Sequence, residues 1–134
     1  MTPKIAIILF PGLNCELETF RACKRADLQP EYFRWNGDYK KLKNYDAIII
    51  PGGFSYEDRG RSGVIASKDP LMKIVKEEAA KGKPVLGLCN GAQILVESGL
   101  IPGLSNTHLE MALARNERIK KGQLRGIGYY NDWV

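Results

Sequence analysis

The residues with the clearest chemical potential are Gly87-Leu88-Cys89-Asn90-Gly91, a glycine–x–nucleophile–x–glycine run between an apolar segment and a helical one. This spacing makes a nucleophile elbow, where a strand turns so sharply into a helix that glycine is required two residues either side of the nucleophile. The Cys89 thiol then projects from a strained position at a helix N-terminus, where free N–H groups and the helix dipole favour negative charge on sulfur. The backbone N–H of Asn90 is placed to donate to an oxyanion. Taken alone, the run also fits a small buried cysteine following a strand, a common environment for that residue. A second segment adds weight. Pro51-Gly52-Gly53 closes another apolar run and offers N–H groups unobstructed by side chains. On a neighbouring strand such a turn supplies a further oxyanion donor, worth about 3 kcal/mol of transition-state stabilisation. Its plainer reading is an ordinary tight turn.

These loops need strands and helices to hold them. Lys4 to Phe10 is apolar and rich in isoleucine, as expected for a parallel strand covered on both faces, and it ends in Pro11-Gly12. Asn14 is placed to cap the next helix, with Glu16 and Glu18 in its first turn and Leu17, Phe20 and Cys23 as its buried stripe. Glu31 to Trp35 reads as a second strand, Ala47 to Ile50 as a third and Pro84 to Leu88 as a fourth. Between the last two, Asp69 caps a helix, Pro70 takes its first turn, Leu71, Ile74, Val75 and Ala79 make its stripe, and Gly82 stops it. A last helix runs from the elbow to about Ser98. Strands alternating with helices predict an α/β three-layer sandwich around a doubly wound, mostly parallel sheet of flavodoxin-like type. The functional cleft of such a fold lies at the carboxyl ends of the strands, where all three glycine-bearing loops fall.

Composition narrows the field further. A chain of 134 residues, 44% hydrophobic and 26% charged, fits one domain over residues 1–134 with a real core. The net charge of +5 is spread out. Its densest clusters, Lys40 to Lys43 and Arg115 to Lys121, lack interleaved aromatics for base stacking, so no nucleic-acid partner is expected. Cys15, Cys23 and Cys89 show no metal-binding spacing and suit a reducing compartment. The apolar opening is too short to span a membrane, and it lacks a small-residue cleavage site. The expected location is the cytoplasm, with no membrane partner.

Taken together, Gly12-Leu13-Asn14-Cys15, Pro51-Gly52-Gly53-Phe54-Ser55-Tyr56 and Gly87-Leu88-Cys89-Asn90-Gly91-Ala92-Gln93 resemble a class I glutamine amidotransferase family. The match is to the glutaminase subunits of phosphoribosylformylglycinamidine synthase. The stretches Ala112 to Asn116 and Gly128 to Trp133 resemble later parts of the same family, so the similarity runs through essentially the whole chain. The Phe-Ser-Tyr extension and the asparagine after the cysteine distinguish this family from other class I amidotransferases. The resemblance implies that Cys89 attacks the carboxamide of L-glutamine to give a γ-glutamyl thioester. It implies that Gly53 and Asn90 hold the oxyanion, and that Gly52 and Gln93 help bind the substrate. Ammonia would pass to a large synthetase subunit that uses ATP and magnesium, with a small accessory subunit completing the complex. No cofactor would sit in this subunit itself.

The family also carries a His-x-Glu motif, whose histidine serves as base and acid. This chain has one histidine, in His108-Leu109-Glu110, only nineteen residues past Cys89 and ahead of the segment that the family's motif follows. A helix from Asn90 to Ser98 carries the chain roughly 14 Å away from the cleft. His108 is therefore a weak candidate base, and the chain is expected to stop short of its triad. Losing later strands would leave an apolar edge open to self-association. Two rivals stand beside this reading. A PfpI-like domain shares the elbow and can set a glutamate beside its cysteine, a place for which Glu16 or Glu18 would be needed. A flavodoxin-like binding module would need a phosphate-cradling loop, but Pro11-Gly12-Leu13-Asn14 lacks the glycine spacing for one.

Overall fold

A computed structural model describes residues 2–104, 108–114 and 116–128. Arg115 and Tyr129 to Trp133, which carry part of the family resemblance, lie outside the described residues. Four parallel strands form the main sheet: β1 (Lys4–Leu9), β2 (Gln29–Arg34), β3 (Ala47–Ile50) and β4 (Val85–Gly87), in the order β2-β1-β3-β4. This is the start of the flavodoxin-like order, and its switch point falls between β1 and β3. Helix α1 (Glu16–Arg25) follows β1, the short α2 (Val64–Ser67) and α3 (Pro70–Ala80) lie between β3 and β4, and α4 (Asn90–Ser98) follows β4.

The unbroken apolar run of β1 is explained by two cores, one on each side of the sheet. Ala6, Ile8 and Phe10 pack with Ile48, Ile50, Leu71, Val75 and Ile94 beneath α2, α3 and α4. Ile5 and Ile7 pack with Cys23 and Phe20 beneath α1. Burying a side chain of this size contributes about 1.5–3 kcal/mol, so β1 is the anchor of the domain. Helix α3 starts where its cap predicts. The Asp69 carboxylate accepts from the Leu71 N–H, and Pro70 occupies the first turn. Its buried face is Leu71, Met72, Val75 and Glu78. The Glu78 carboxylate is matched by Lys81 at 2.7 Å and Lys83 at 2.8 Å.

Three expectations need correction. Cys15, not Asn14, is the N-cap of α1, and no side chain caps the helix. The Asn14 N–H is spent on the Gly52 carbonyl, which draws residue 14 toward β3 instead. On α1, Thr19 and Cys23 are buried and Phe20 packs against Tyr32 of β2 at 5.1 Å, whereas Leu17 is 45% exposed. β2 begins two residues early and takes in Pro30, which this edge strand tolerates because it pairs only with β1. The basic stretch near residue 120 forms an exposed antiparallel hairpin of β5 (Glu117–Lys120) and β6 (Gln123–Ile127). Lys121 and Gly122 both have positive φ, the signature of a two-residue hairpin turn.

Candidate active site

Cys89 lies two residues past the end of β4 and forms the N-cap of α4 with φ 53° and ψ −110°, and it is exposed at the carboxyl end of the sheet. A non-glycine residue in this region costs about 1–2 kcal/mol, so the surrounding chain must impose it. The two glycines show how. A Cβ on Gly87 would lie 2.6 Å from the carbonyl of Gly91, and one on Gly91 would run into the carbonyl oxygen of Ile50 in β3. The Leu88 N–H already donates to that oxygen at 3.0 Å, which ties the elbow to the neighbouring strand. The buried-cysteine alternative does not hold, because the turn that requires both glycines also turns Cys89 outward.

The loops after β1 and β3 are stitched together beside the elbow. Asn14 N–H and Cys15 N–H both donate to the Gly52 carbonyl at 3.2 Å, and Phe54 N–H donates to the Gly12 carbonyl at 2.9 Å. Leu13 and Gly53 thereby face each other as a pair whose own amides point outward. Gly53 has φ 141°, and a Cβ there would lie 2.6 Å from the Asn14 nitrogen. Gly52 lies directly against the nucleophile: a Cβ on it would come within 3.3 Å of Cys89 Cβ and 3.5 Å of Cys15 Sγ. Among the described residues, no backbone carbonyl takes the N–H of Gly53 or of Asn90.

The Asn90 side chain is fully buried and makes three hydrogen bonds. Its Oδ1 accepts from the Ser55 N–H, and its Nδ2 donates to Asp58 Oδ1 and to Gln93 Oε1, each at 2.9 Å. The amide orientation is fixed, since Ser55 N–H can only donate and the Asp58 carboxylate can only accept. The loop so gripped is strained: Tyr56, Glu57 and Asp58 have φ of 51°, 59° and 51°. At about 1 kcal/mol or more each, three such residues need support from elsewhere. Tyr56 provides some of it, its N–H donating to the Pro11 carbonyl at 2.7 Å and its hydroxyl to Asp69 at 3.1 Å. Burial, and then the Asp69 charge, push the Tyr56 hydroxyl up to about 12. Gln93 in turn lines a cavity of about 640 Å³ whose wall includes Arg61 and Glu97, paired at 2.7 Å.

Of the residues singled out from sequence, Cys89, Gly52, Gly53, Asn90 and Gln93 are brought together at this cleft. His108 is not. Its carbonyl oxygen would lie 2.8 Å from a Cβ on Gly99, the C-cap of α4, so it stands at the opposite end of that helix from Cys89. Glu18 is exposed on α1, and one carboxylate oxygen of Glu16 is buried without a partner. Among the described residues neither hydrogen-bonds Cys89, so the glutamate pairing of the PfpI-like alternative is not formed. Cys23 is buried on the sheet-facing side of α1, and that burial pushes its thiol up. No group of three or more His, Cys, Asp or Glu among the described residues is arranged to hold a metal. Sequence reasoning missed the Asn90 side chain and its partners Ser55 and Asp58, although the two features that distinguish the family lie in those segments.

This fold and elbow define a class, and comparison with known proteins names it. The profile of the CobB/CobQ-like glutamine amidotransferase domain matches residues 2–120, and the chain belongs to that family. Among individual relatives, it is 51% identical over 131 residues to the phosphoribosylformylglycinamidine synthase subunit PurQ of Methanothrix thermoacetophila, covering 98% of this chain and 49% of the relative. The subunit of the same name from Pyrococcus furiosus is 49% identical over 100 residues, covering 75% of this chain and 44% of that protein. The chain thus spans about half the length of the curated relatives it matches. Among solved structures, a chain of PurLQS from Thermotoga maritima superposes with a TM-score of 0.70 at 35% identity, over 75% of this chain and 46% of that one. A putative protease I from Bacteroides thetaiotaomicron gives a TM-score of 0.57 at 16% identity, over 92% and 88% of the two chains, a likeness of fold alone.

Proposed function

We propose that this chain is the nucleophile-bearing part of a glutaminase subunit of phosphoribosylformylglycinamidine synthase. The observation that carries this reading is the placement of Cys89, exposed at φ 53°, directly against Gly52, with no backbone carbonyl among the described residues taking the N–H of the adjacent Gly53 or Asn90. The Cys89 sulfur attacks the carboxamide carbon of L-glutamine, and the carbonyl oxygen takes up negative charge between those two donors. The C–N bond then breaks, ammonia leaves with a proton from an acid, and a γ-glutamyl thioester remains. Water hydrolyses the thioester to glutamate and restores the thiol. The 35% identity to a chain of PurLQS supports passage of the ammonia to an ATP- and magnesium-using synthetase subunit, with a small third subunit beside it. This part of the site needs no cofactor of its own. The reading places it in the cytoplasm, and among the described residues no helix is long and apolar enough to cross a membrane.

The acid–base group is the missing partner. His108, the one histidine of these 134 residues, stands past the far end of α4 from Cys89, so it does not fill that role here. General acid–base catalysis contributes about 10²–10⁴-fold, so the 134-residue chain alone should turn over glutamine very slowly. It should nevertheless react with a chloroketone analogue of L-glutamine at Cys89 alone, with protection by L-glutamine and no adduct in Cys89→Ser. Intact-mass analysis reads both. Robust glutamine hydrolysis abolished by His108→Ala would overturn the assignment of the base, and unprotected labelling spread over Cys15 and Cys23 would overturn the reading itself.

A further inference from the structure

Asn90 sits next to the nucleophile, yet its side chain points away from the thiol and into the loop after β3. Its two donors and one of its acceptor sites are all taken by groups on two elements: Ser55 and Asp58 on the loop, Gln93 on α4. Ser55 lies two residues beyond Gly53, so the bond to its N–H fixes the turn that carries one oxyanion donor. Because Nδ2 of Asn90 donates to Oε1 of Gln93, the orientation of that glutamine amide is set and one of its acceptor sites is taken. Its NH₂ is left for the cavity that Gln93 lines. We propose that the Asn90–Asp58 pair is a positioning device: it clamps the left-handed 56–58 turn against α4, holds the Gly53 N–H in place beside Cys89, and makes Gln93 a hydrogen-bond donor to a substrate oxygen. The inference rests on the glutaminase reading above. It adds that Asp58, which touches no reacting atom, sets how well the site takes a carbonyl substrate.

Asp58 allows a clean test, because its backbone φ of 51° suits both glycine and asparagine. Asp58→Gly keeps the backbone conformation and removes the acceptor, whereas Asp58→Asn keeps an oxygen for Asn90 Nδ2. Two reagents are compared on the 134-residue chain. The chloroketone analogue of L-glutamine alkylates sulfur with loss of chloride and needs its ketone oxygen bound. Iodoacetamide alkylates the same sulfur with loss of iodide and needs no oxyanion site. Loss of one charge-assisted hydrogen bond should lower the ratio of chloroketone to iodoacetamide rate by about tenfold in Asp58→Gly. Asn90→Ala should lower it at least as far, and Asp58→Asn should restore it to within about twofold. The proposal is overturned if Asp58→Gly leaves the ratio unchanged, if both rates fall together, or if Asp58→Asn fails to restore it. In those cases a wild-type preference for the chloroketone leaves the glutaminase reading standing. A wild-type chain with no preference sinks both.

Discussion

A methyl group on Gly91 would meet the Ile50 carbonyl oxygen, an atom held in β3 and already bonded to the Leu88 N–H. Neither atom can yield without pulling the strand from the elbow, so Gly91→Ala should destabilise the domain by on the order of 3 kcal/mol. The urea midpoint is the measurement, and an unshifted midpoint would mean the elbow is looser than its geometry. Glu57 presents the reverse case. It holds a left-handed φ of 59°, and among the described residues its carboxylate pairs with Arg59 alone, on a surface where both side chains are 74% exposed. Such a pair contributes little, so Glu57→Gly should stabilise the fold by about 1 kcal/mol, read as a rise in melting temperature. A drop would show that the ion pair or the side chain matters more than the backbone.

At the scale of elements, the loop after β3 is fastened from two directions, by Asn90 on α4 and by Asp69 at the start of α3. The second fastening is sensitive to pH. Burial and the Asp69 charge raise the Tyr56 hydroxyl from 10.0 to about 12, and burial and Glu31 do the same to Tyr45. With the folded value above the unfolded one, the contribution to stability is complete below pH 10 and is lost as pH rises toward about 12. Stability should therefore fall across that window, and Tyr56→Phe should flatten the slope. A slope unchanged in Tyr56→Phe would remove Tyr56 as its source.

The elements themselves were largely legible in sequence. The isoleucine runs marked β1 and β3, Asp69-Pro70 marked the start of α3, and paired glycines around Cys89 marked the elbow, because each signal is local. What escaped was set at a distance. Asn14 looked like a cap until the Gly52 carbonyl claimed its N–H, and Leu17 looked buried until α1 seated on Thr19, Phe20 and Cys23 instead. Three consecutive left-handed residues without a glycine are invisible to turn rules. They persist because Asn90, 32 residues beyond Asp58, holds the last of them.

For the whole molecule, cover runs out across one face of the sheet. Ile7, Ile49 and Leu86 are register partners on the α1 side. Ile7 is fully buried beneath α1, whereas Leu86 on the edge strand is 50% exposed and Leu88 beyond it 40%. An apolar strip beside an edge strand with no further described strand paired to it favours association. The 134-residue chain should therefore self-associate as its concentration rises, and Leu86→Lys should return it toward monomer in light scattering. A wild-type chain that stays monomeric at high concentration would contradict this.

The central claim is that the sulfur of Cys89 faces two free amide hydrogens, from Gly53 and Asn90, arranged to receive the oxygen of a substrate carbonyl. A crystal structure of the chain alkylated by the chloroketone glutamine analogue tests it directly. The account predicts a single adduct on Cys89 with its ketone oxygen about 2.7–3.1 Å from both nitrogens. An oxygen turned to solvent, or one bound by neither amide, would contradict it.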